Sequence, residues 1–263
     1  MSPVAPRVAC IIPAKDEETR VGATVAAARS LPHVDLVIVC DDGSTDATGD
    51  RAAAAGAIVV THARARGKAA AVESAVNALG VLEARDRRPV ATALLLLDAD
   101  LEATAAACAV LVGPVVDGRV DLTIGIPPAP QTVNAYDAGG LGLVVSTAAR
   151  GIAELTGWTP RAPLSGQRCL SRRAFELASP LAAGLGVEVG MTIDILRAGL
   201  KVEEIEIDLP SRAGGVDLAG QVHRAKQLRD VTRALAARGL VQAGWQDFKE
   251  SGGVSGLLNR FRR

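Results

Sequence analysis

Short apolar runs that stop abruptly at acidic turns limit most strongly what this chain can fold into. Leu94-Leu95-Leu96-Leu97 ends in Asp98-Ala99-Asp100, and Val37-Ile38-Val39-Cys40 ends in Asp41-Asp42-Gly43-Ser44-Thr45-Asp46. Runs this short and this continuously apolar read as strands buried on both faces. Val8 to Ile12 is a third, closed by Pro13. Ala57 to Thr61 and Asp121 to Ile126 complete a set of five. Between them Glu17 to Ser30, Thr45 to Ala55, Gly67 to Leu79 and Thr104 to Asp117 read as helices. A β-α-β-α rhythm predicts an α/β fold, a mainly parallel sheet with helices on both faces. A length of 263 residues with 49% hydrophobic content suffices for one such domain with a sizeable core.

The second half is less regular. Gly139 to Leu155 reads as a helix, Trp158 to Gly166 as a loop and Ser171 to Ala178 as the start of a helix. Val189 to Ala198 reads as a helix, Lys201 to Leu209 as a strand and Asp217 to Arg238 as a long amphipathic helix. The expected organisation is one domain over residues 1–240, with a regular half at 8–126 and a less regular half at 127–240, to which the resemblance named below assigns donor and acceptor binding respectively. Residues 241–263 read as a flexible tail rich in Gly and Ser.

In an extended segment, side chains two positions apart point the same way. Asp98 and Asp100 would therefore crowd two negative charges at one spot, where one would tend to take up a proton. A hard divalent cation, Mg²⁺ or Mn²⁺, removes that conflict and binds phosphate oxygens in turn. Solvated aspartates at a strand end are the plainer reading. Asp41 and Asp42 end their own strand in the same way. In open α/β sheets that edge is where ligands bind.

Charge and composition exclude other classes. The formal net charge is zero and aromatics make up 2% of the chain, which argues against a nucleic-acid partner. Cys10, Cys40, Cys108 and Cys169 form no CxxC pair, so neither a zinc site nor a redox motif is expected. No run reaches the roughly 18 apolar residues of a membrane span. A cytoplasmic protein is expected, and the sequence leaves self-association open. The tail residues Leu257, Leu258 and Phe261 among Arg260, Arg262 and Arg263 have a second reading, as a peripheral contact with an anionic membrane surface.

The motifs together resemble family 2 glycosyltransferases of the GT-A fold. Pro13-Ala14-Lys15-Asp16-Glu17-Glu18 resembles the opening of that family, Asp41 to Asp46 its D-D-G-S-x-D turn, Arg66-Gly67-Lys68 the G-K that opens its next helix, and Asp98-Ala99-Asp100 its D-x-D motif. Gly186-Val187-Glu188-Val189-Gly190 and His223-Arg224 look like the second half of glucosyl-3-phosphoglycerate synthases. Polyprenyl-phosphate sugar synthases share the first-half motifs equally well. Two acceptor-side positions depart from the synthases: Gly151 stands where they carry Arg, and Ala225 or Lys226 where they carry Asn.

The resemblance implies a metal-dependent hexosyltransferase with a nucleotide-sugar donor, UDP-sugar rather than GDP-sugar. Its acceptor is unidentified, a small phosphorylated acid or a polyprenyl phosphate among the options. It implies a donor site at Pro13, Ala14, Glu17, Asp41, Asp42, Lys68, Asp98 and Ala99. It implies an acceptor-facing loop at Ser165, Gly166 and Gln167, and a metal held by Asp100 and His223. Asp98, Asp100 and Glu188 are the expected catalytic residues. Glu188, then Asp194, would be the base if the reaction inverts the anomeric centre; the plain reading of Glu188 is an acid favoured by a helix dipole. Lys68 at a helix start is placed to meet phosphate. A nucleotidyltransferase of similar fold and a catalytically silent sugar-nucleotide-binding relative are the alternatives. The first would carry a glycine-rich loop after strand one, and Pro13 to Arg20 has no glycine.

Overall fold

The computed structural model describes residues 7–87, 89–128, 141–209 and 218–240, and of residues 141 and 218–225 it describes the backbone alone. The tail from residue 241, and with it the membrane-contact reading, lies outside the described residues. No described helix is long and apolar enough to cross a membrane.

Strand β1 (Val8–Ala14) lies between β2 (Val34–Asp41) and β4 (Ala93–Leu96), and β3 (Ile58–Thr61) extends the sheet beyond β2. All four are parallel. Helices α1 (Val21–Arg29), α2 (Thr48–Ala54) and α3 (Lys68–Arg85) make the crossovers. Alternate side chains of each strand reach opposite faces. Cys10, Ile12, Val37, Val39 and Leu95 pack with Val21 and Val25 of α1. Ala9, Ile11, Ile38, Leu94 and Leu96 pack with Val72, Ala75 and Leu79 of α3 on the other face. All four cysteines are buried free thiols, and burial pushes Cys40 up to about 12.

The helix expected over 104–117 with an interruption near Gly113-Pro114 is a 3-10 helix, Glu102–Leu111, running into α4 (Val112–Val116), so the change falls at residue 112 and the first part is wound more tightly than expected. Pro114 falls in the first turn of α4, where N–H groups have no intrahelical acceptor and its missing donor is not felt. Strand β5 (Leu122–Ile126) follows, and β7 (Val202–Glu206) pairs with it in parallel, ending three residues short of the expected Leu209. Helices α5 (Leu141–Thr156), α7 (Gly186–Arg197) and α8 (Leu218–Ala237) share a small core built on Ile152, Val189, Ile193, Val231 and Leu235.

One strand was not legible in the sequence. Arg168–Ser171 forms β6, antiparallel to both β4 and β5, in the sheet order β3-β2-β1-β4-β6-β5-β7. Ser171 then caps α6 (Arg172–Ala178) by accepting a hydrogen bond from the Ala174 amide at 3.1 Å. The reversal has a direct consequence. A strand running against its neighbours begins at the edge where they end. Arg168 stands opposite Leu96 of β4, so the loop before β6 arrives beside Asp98.

Candidate functional site

The carboxyl ends of β1, β2 and β4 share one edge, and most of the expected donor site gathers there. Ala14 pairs in register with Asp41, and the Asp42 amide donates to the Ala14 carbonyl at 2.8 Å. Asp41 accepts from the Ser44 amide at 2.9 Å, closing the turn. Gly43 sits there with φ +70°, and a Cβ on it would lie 2.6 Å from the backbone of Arg64 and Ala65. The glycine thus lets two loops press together where no other residue fits. Glu17, just before α1, forms an ion pair with Arg20 at 2.6 Å and donates its amide to Thr48 Oγ1 at 2.7 Å. Pro13 is half-buried in β1 beside them, and Ala99 is buried in the turn after β4.

Asp42 serves the protein before any ligand. One carboxylate oxygen accepts from His62 Nδ1 at 2.7 Å and from the Arg66 amide at 2.8 Å; the other accepts from the Gly67 amide at 2.7 Å. Burial pushes its carboxyl up, but these donors outweigh burial and hold it below the usual 3.8. Asp42, one of the residues expected in the donor site, therefore already has both carboxylate oxygens engaged within the protein. It anchors the segment that carries Gly67 to the start of α3.

His62 was not singled out from the sequence. It follows Thr61, which pairs in register with Asp41, so His62 and Asp42 leave adjacent strand ends together. With Nδ1–H donated to Asp42, Nε2 accepts from the Ser74 hydroxyl of α3 at 2.9 Å. Strand β2, the Arg66–Gly67 segment and α3 are tied through one imidazole. His62→Ala removes a buried ring together with its hydrogen bonds to Asp42 and Ser74 and is expected to cost about 1–3 kcal/mol. Urea titration reads the loss, and a variant as stable as the parent would remove His62 from this role.

Lys68, the first residue of α3, bridges two carboxylates. Its Nζ lies 2.8 Å from Asp98 Oδ1 and 2.8 Å from Glu188 Oε1. Burial alone would lower the Lys68 pKa, but the two acids outweigh it and raise it. Burial likewise works against the Asp98 carboxylate, and Lys68 and Gln167 hold its pKa down. In this state Lys68 faces acids rather than an open phosphate site.

Glu188 changes role. Its side chain is 2% exposed, tied to Lys68, and its Oε2 is buried without a hydrogen-bond partner. It does not line the cavity described below, and in this structure Lys68 occupies the carboxylate that the sequence offered as a base. Asp194 is also set aside, because Arg238 of the segment after α8 holds it, with Nε to Oδ1 at 2.8 Å.

Asp100 follows in the turn after β4, its side chain 32% exposed, with Arg20 Nη1 at 3.8 Å. Asp98 and Asp100 therefore share the edge, but their surroundings differ. Asp98 is held by Lys68 and by Gln167 Nε2 at 2.8 Å. His223, the other expected metal ligand, sits on α8, and its side chain lies outside the described residues.

Beside Asp98 opens a cavity of about 930 Å³. Ser165, Gly166 and Gln167 line it, so the loop expected to face the acceptor is brought next to the D-x-D pair. A Cβ at Gly166 would lie 2.5 Å from Asp98 Oδ2, so only glycine permits this approach. Pro127, Leu164 and Ile207 form apolar walls, and Arg161, Glu206 and Asp208 also line the cavity. Beneath the loop, Arg168 is 1% exposed. It donates to the carbonyls of Ser165 at 2.8 Å, Glu188 at 3.0 Å and Pro163 at 3.3 Å, and to Thr192 Oγ1 at 2.9 Å. Burial lowers its pKa to about 10. The charged residue that obscured β6 in the sequence is the peg that fastens the loop to α7.

Comparison with known proteins agrees with this arrangement. Residues 9–142 match the model of the family described as glycosyl transferase family 2. A curated relative, glucosyl-3-phosphoglycerate synthase of Mycolicibacterium smegmatis, is 32% identical over 258 residues, covering 91% of this chain and 78% of the relative. The crystal structure of glucosyl-3-phosphoglycerate synthase from Mycobacterium tuberculosis is similar with a TM-score of 0.65 and 25% identity, covering 89% of this chain and 80% of that one. The same enzyme in complex with Mn²⁺, UDP-glucose and phosphoglyceric acid gives a TM-score of 0.62 at 25% identity, covering 89% of this chain and 79% of that one. A seven-stranded sheet with one reversed strand, the acidic turns at its carboxyl edge and the matches over both halves lead to one conclusion: this chain belongs to glycosyl transferase family 2 and is a glycosyltransferase of the GT-A fold.

Proposed function

We propose that this chain transfers a hexose from a UDP-sugar to a hydroxyl acceptor bound in the cavity beside Asp98, with Mn²⁺ or Mg²⁺ as cofactor. The observation that carries the reading is the meeting of the D-x-D turn, the Asp41–Asp42 turn and the Ser165–Gln167 loop at one sheet edge. Among the described residues, no three His, Cys, Asp or Glu side chains cluster as a ready-made metal cage. Mg²⁺ and Mn²⁺ keep waters and substrate oxygens around one or two carboxylates, and Asp100, part-exposed in the turn after β4, would supply one such carboxylate, with His223 as a further ligand. The relative's complex with Mn²⁺ and UDP-glucose supports the same cofactor and donor.

When bound, the cation neutralises charge growing on the leaving diphosphate. This chain's residues do the positioning. Asp98, fixed by Lys68 and Gln167, faces the sugar. The turn at Asp41 and the first turn after β1 hold the nucleoside. The apolar walls exclude water from the acceptor hydroxyl.

Calorimetry with UDP tests the reading. Affinity is expected to be tighter with Mn²⁺ than with EDTA by roughly tenfold or more, about 1.4 kcal/mol. Equal affinity in the two conditions would sink the metal bridge. His223→Ala should weaken metal binding by about 10–100-fold if its ring completes the shell.

A further inference from the structure

Building on that reading of the site, we infer that the acceptor is a hydroxyl compound with an apolar body and no anionic group. The relative whose crystal contains phosphoglyceric acid takes an acceptor with both a phosphate and a carboxylate. Such a molecule needs cationic side chains or unoccupied N–H donors. The described lining of this cavity offers the opposite. It carries three carboxylates, Asp98, Glu206 and Asp208, against one guanidinium, Arg161.

Four donors in and beside the loop are already taken by acids. Arg161 Nη2 is 2.9 Å from Glu206 Oε1. The Arg161 amide donates to Glu204 at 2.8 Å, and the Ala162 amide donates to Glu204 at 2.7 Å. Gln167 gives its side-chain N–H to Asp98. A phosphate entering here would displace a carboxylate from each donor and then sit beside it. Like charges forced together in this way weaken binding strongly. The walls, Ile126, Pro127, Val145, Leu164 and Ile207, instead favour an apolar surface next to the reacting hydroxyl.

Gly151 lies in the interface of α5 with α8 and not in the lining of the cavity; a Cβ there would lie 2.5 Å from the Leu235 side chain, which would have to shift.

The test is calorimetry on the full chain with UDP and Mn²⁺ present. The probes are 1-O-hexylglycerol, which is uncharged with an apolar tail, and 3-phosphoglycerate. Hexylglycerol is expected to bind, and 3-phosphoglycerate to bind at least about tenfold more weakly, the direction like-charge exclusion dictates. The double variant Glu206→Lys, Asp208→Lys should then gain about tenfold or more for 3-phosphoglycerate. Glu206 and Asp208 are exposed, so the variant is expected to fold, and its melting temperature with UDP and Mn²⁺ checks this. Tighter binding of 3-phosphoglycerate than of hexylglycerol by the parent chain overturns the inference. So does the absence of any hexylglycerol binding, or a double variant whose phosphoglycerate affinity does not rise. Loss of UDP binding in the parent would instead overturn the donor-site reading, and the two failures are told apart by that first titration.

Discussion

Asp100→Asn is expected to reduce sugar transfer by on the order of 10²–10³-fold while leaving the melting temperature close to that of the parent. The reasoning starts from placement. Asp100 sits in a turn at the rim, its side chain 32% exposed. An amide of the same shape there removes a negative charge without opening a cavity. What is lost is a hard anionic oxygen at the point where the cation would bridge to the diphosphate. Asp98, by contrast, is woven into Lys68 and Gln167, so its replacement would mix folding with chemistry. UDP release from a UDP-sugar with saturating Mn²⁺, read beside the melting curve, decides the matter. Rates within a few-fold of the parent would take Asp100 out of the site.

Lys68→Met is the second large effect, and it falls on the fold. The substitution leaves Asp98 and the 2%-exposed Glu188 facing each other without the ammonium between them. Removing one partner of a buried pair costs roughly 3–5 kcal/mol, and the part-exposed lysine places this case near about 3 kcal/mol. The double variant Lys68→Met, Glu188→Gln should recover part of the loss, because the stranded charge is gone. Recovery indistinguishable from zero would show that the lysine acts through packing alone.

The pH dependence follows with a definite sign. The Asp98 carboxyl is held below its ordinary 3.8, so its contribution to stability is present above that value and is lost as pH falls through the folded pKa. Without Lys68, only Gln167 and Arg168 remain to oppose the upward push of burial on the Asp98 carboxyl. The acid limb of the stability curve should therefore move to higher pH in Lys68→Met. Urea midpoints between pH 3 and 7 read the shift.

Most of the sheet was legible because its strands are continuous apolar runs closed by turn residues. Val8–Ala14, Val34–Asp41 and Ala93–Leu96 carry no competing periodicity. The D-x-D and Asp41–Asp42 turns were legible because they follow those runs directly, which places them at the carboxyl edge of the sheet; that Asp98 and Asp100 meet different partners there depends on the turn after β4. β6 was not legible, because four residues led by a charged arginine give neither alternation nor an apolar run. Only the tertiary fold supplies the carbonyls that make burial of Arg168 tolerable. Glu188 looked like a base because nothing local reveals that a lysine from another helix meets it. His62 was hidden as a lone histidine in a loop. The usable signal was the pairing of β2 with β3, which puts the residues after Asp41 and Thr61 side by side.

The reversed strand also determines how this enzyme can move. Strand β6 is hydrogen-bonded to β4 on one side and β5 on the other, so the platform beneath the nucleotide and the platform beneath the cavity are stitched into one plate. Among the described residues the sheet has no seam between β4 and β5 along which two lobes might swing apart to admit a substrate and shut on it. Any order in which donor and acceptor enter must be enforced by the segments that rise from the plate's edge. Hydrogen exchange should find the amides of β4 and β6 equally slow with and without UDP, while changes on loading concentrate at the turns. For protein engineers the same stitching is an opportunity: side chains of the loop before β6 can be exchanged while Arg168 still binds the backbone carbonyls at positions 163 and 165.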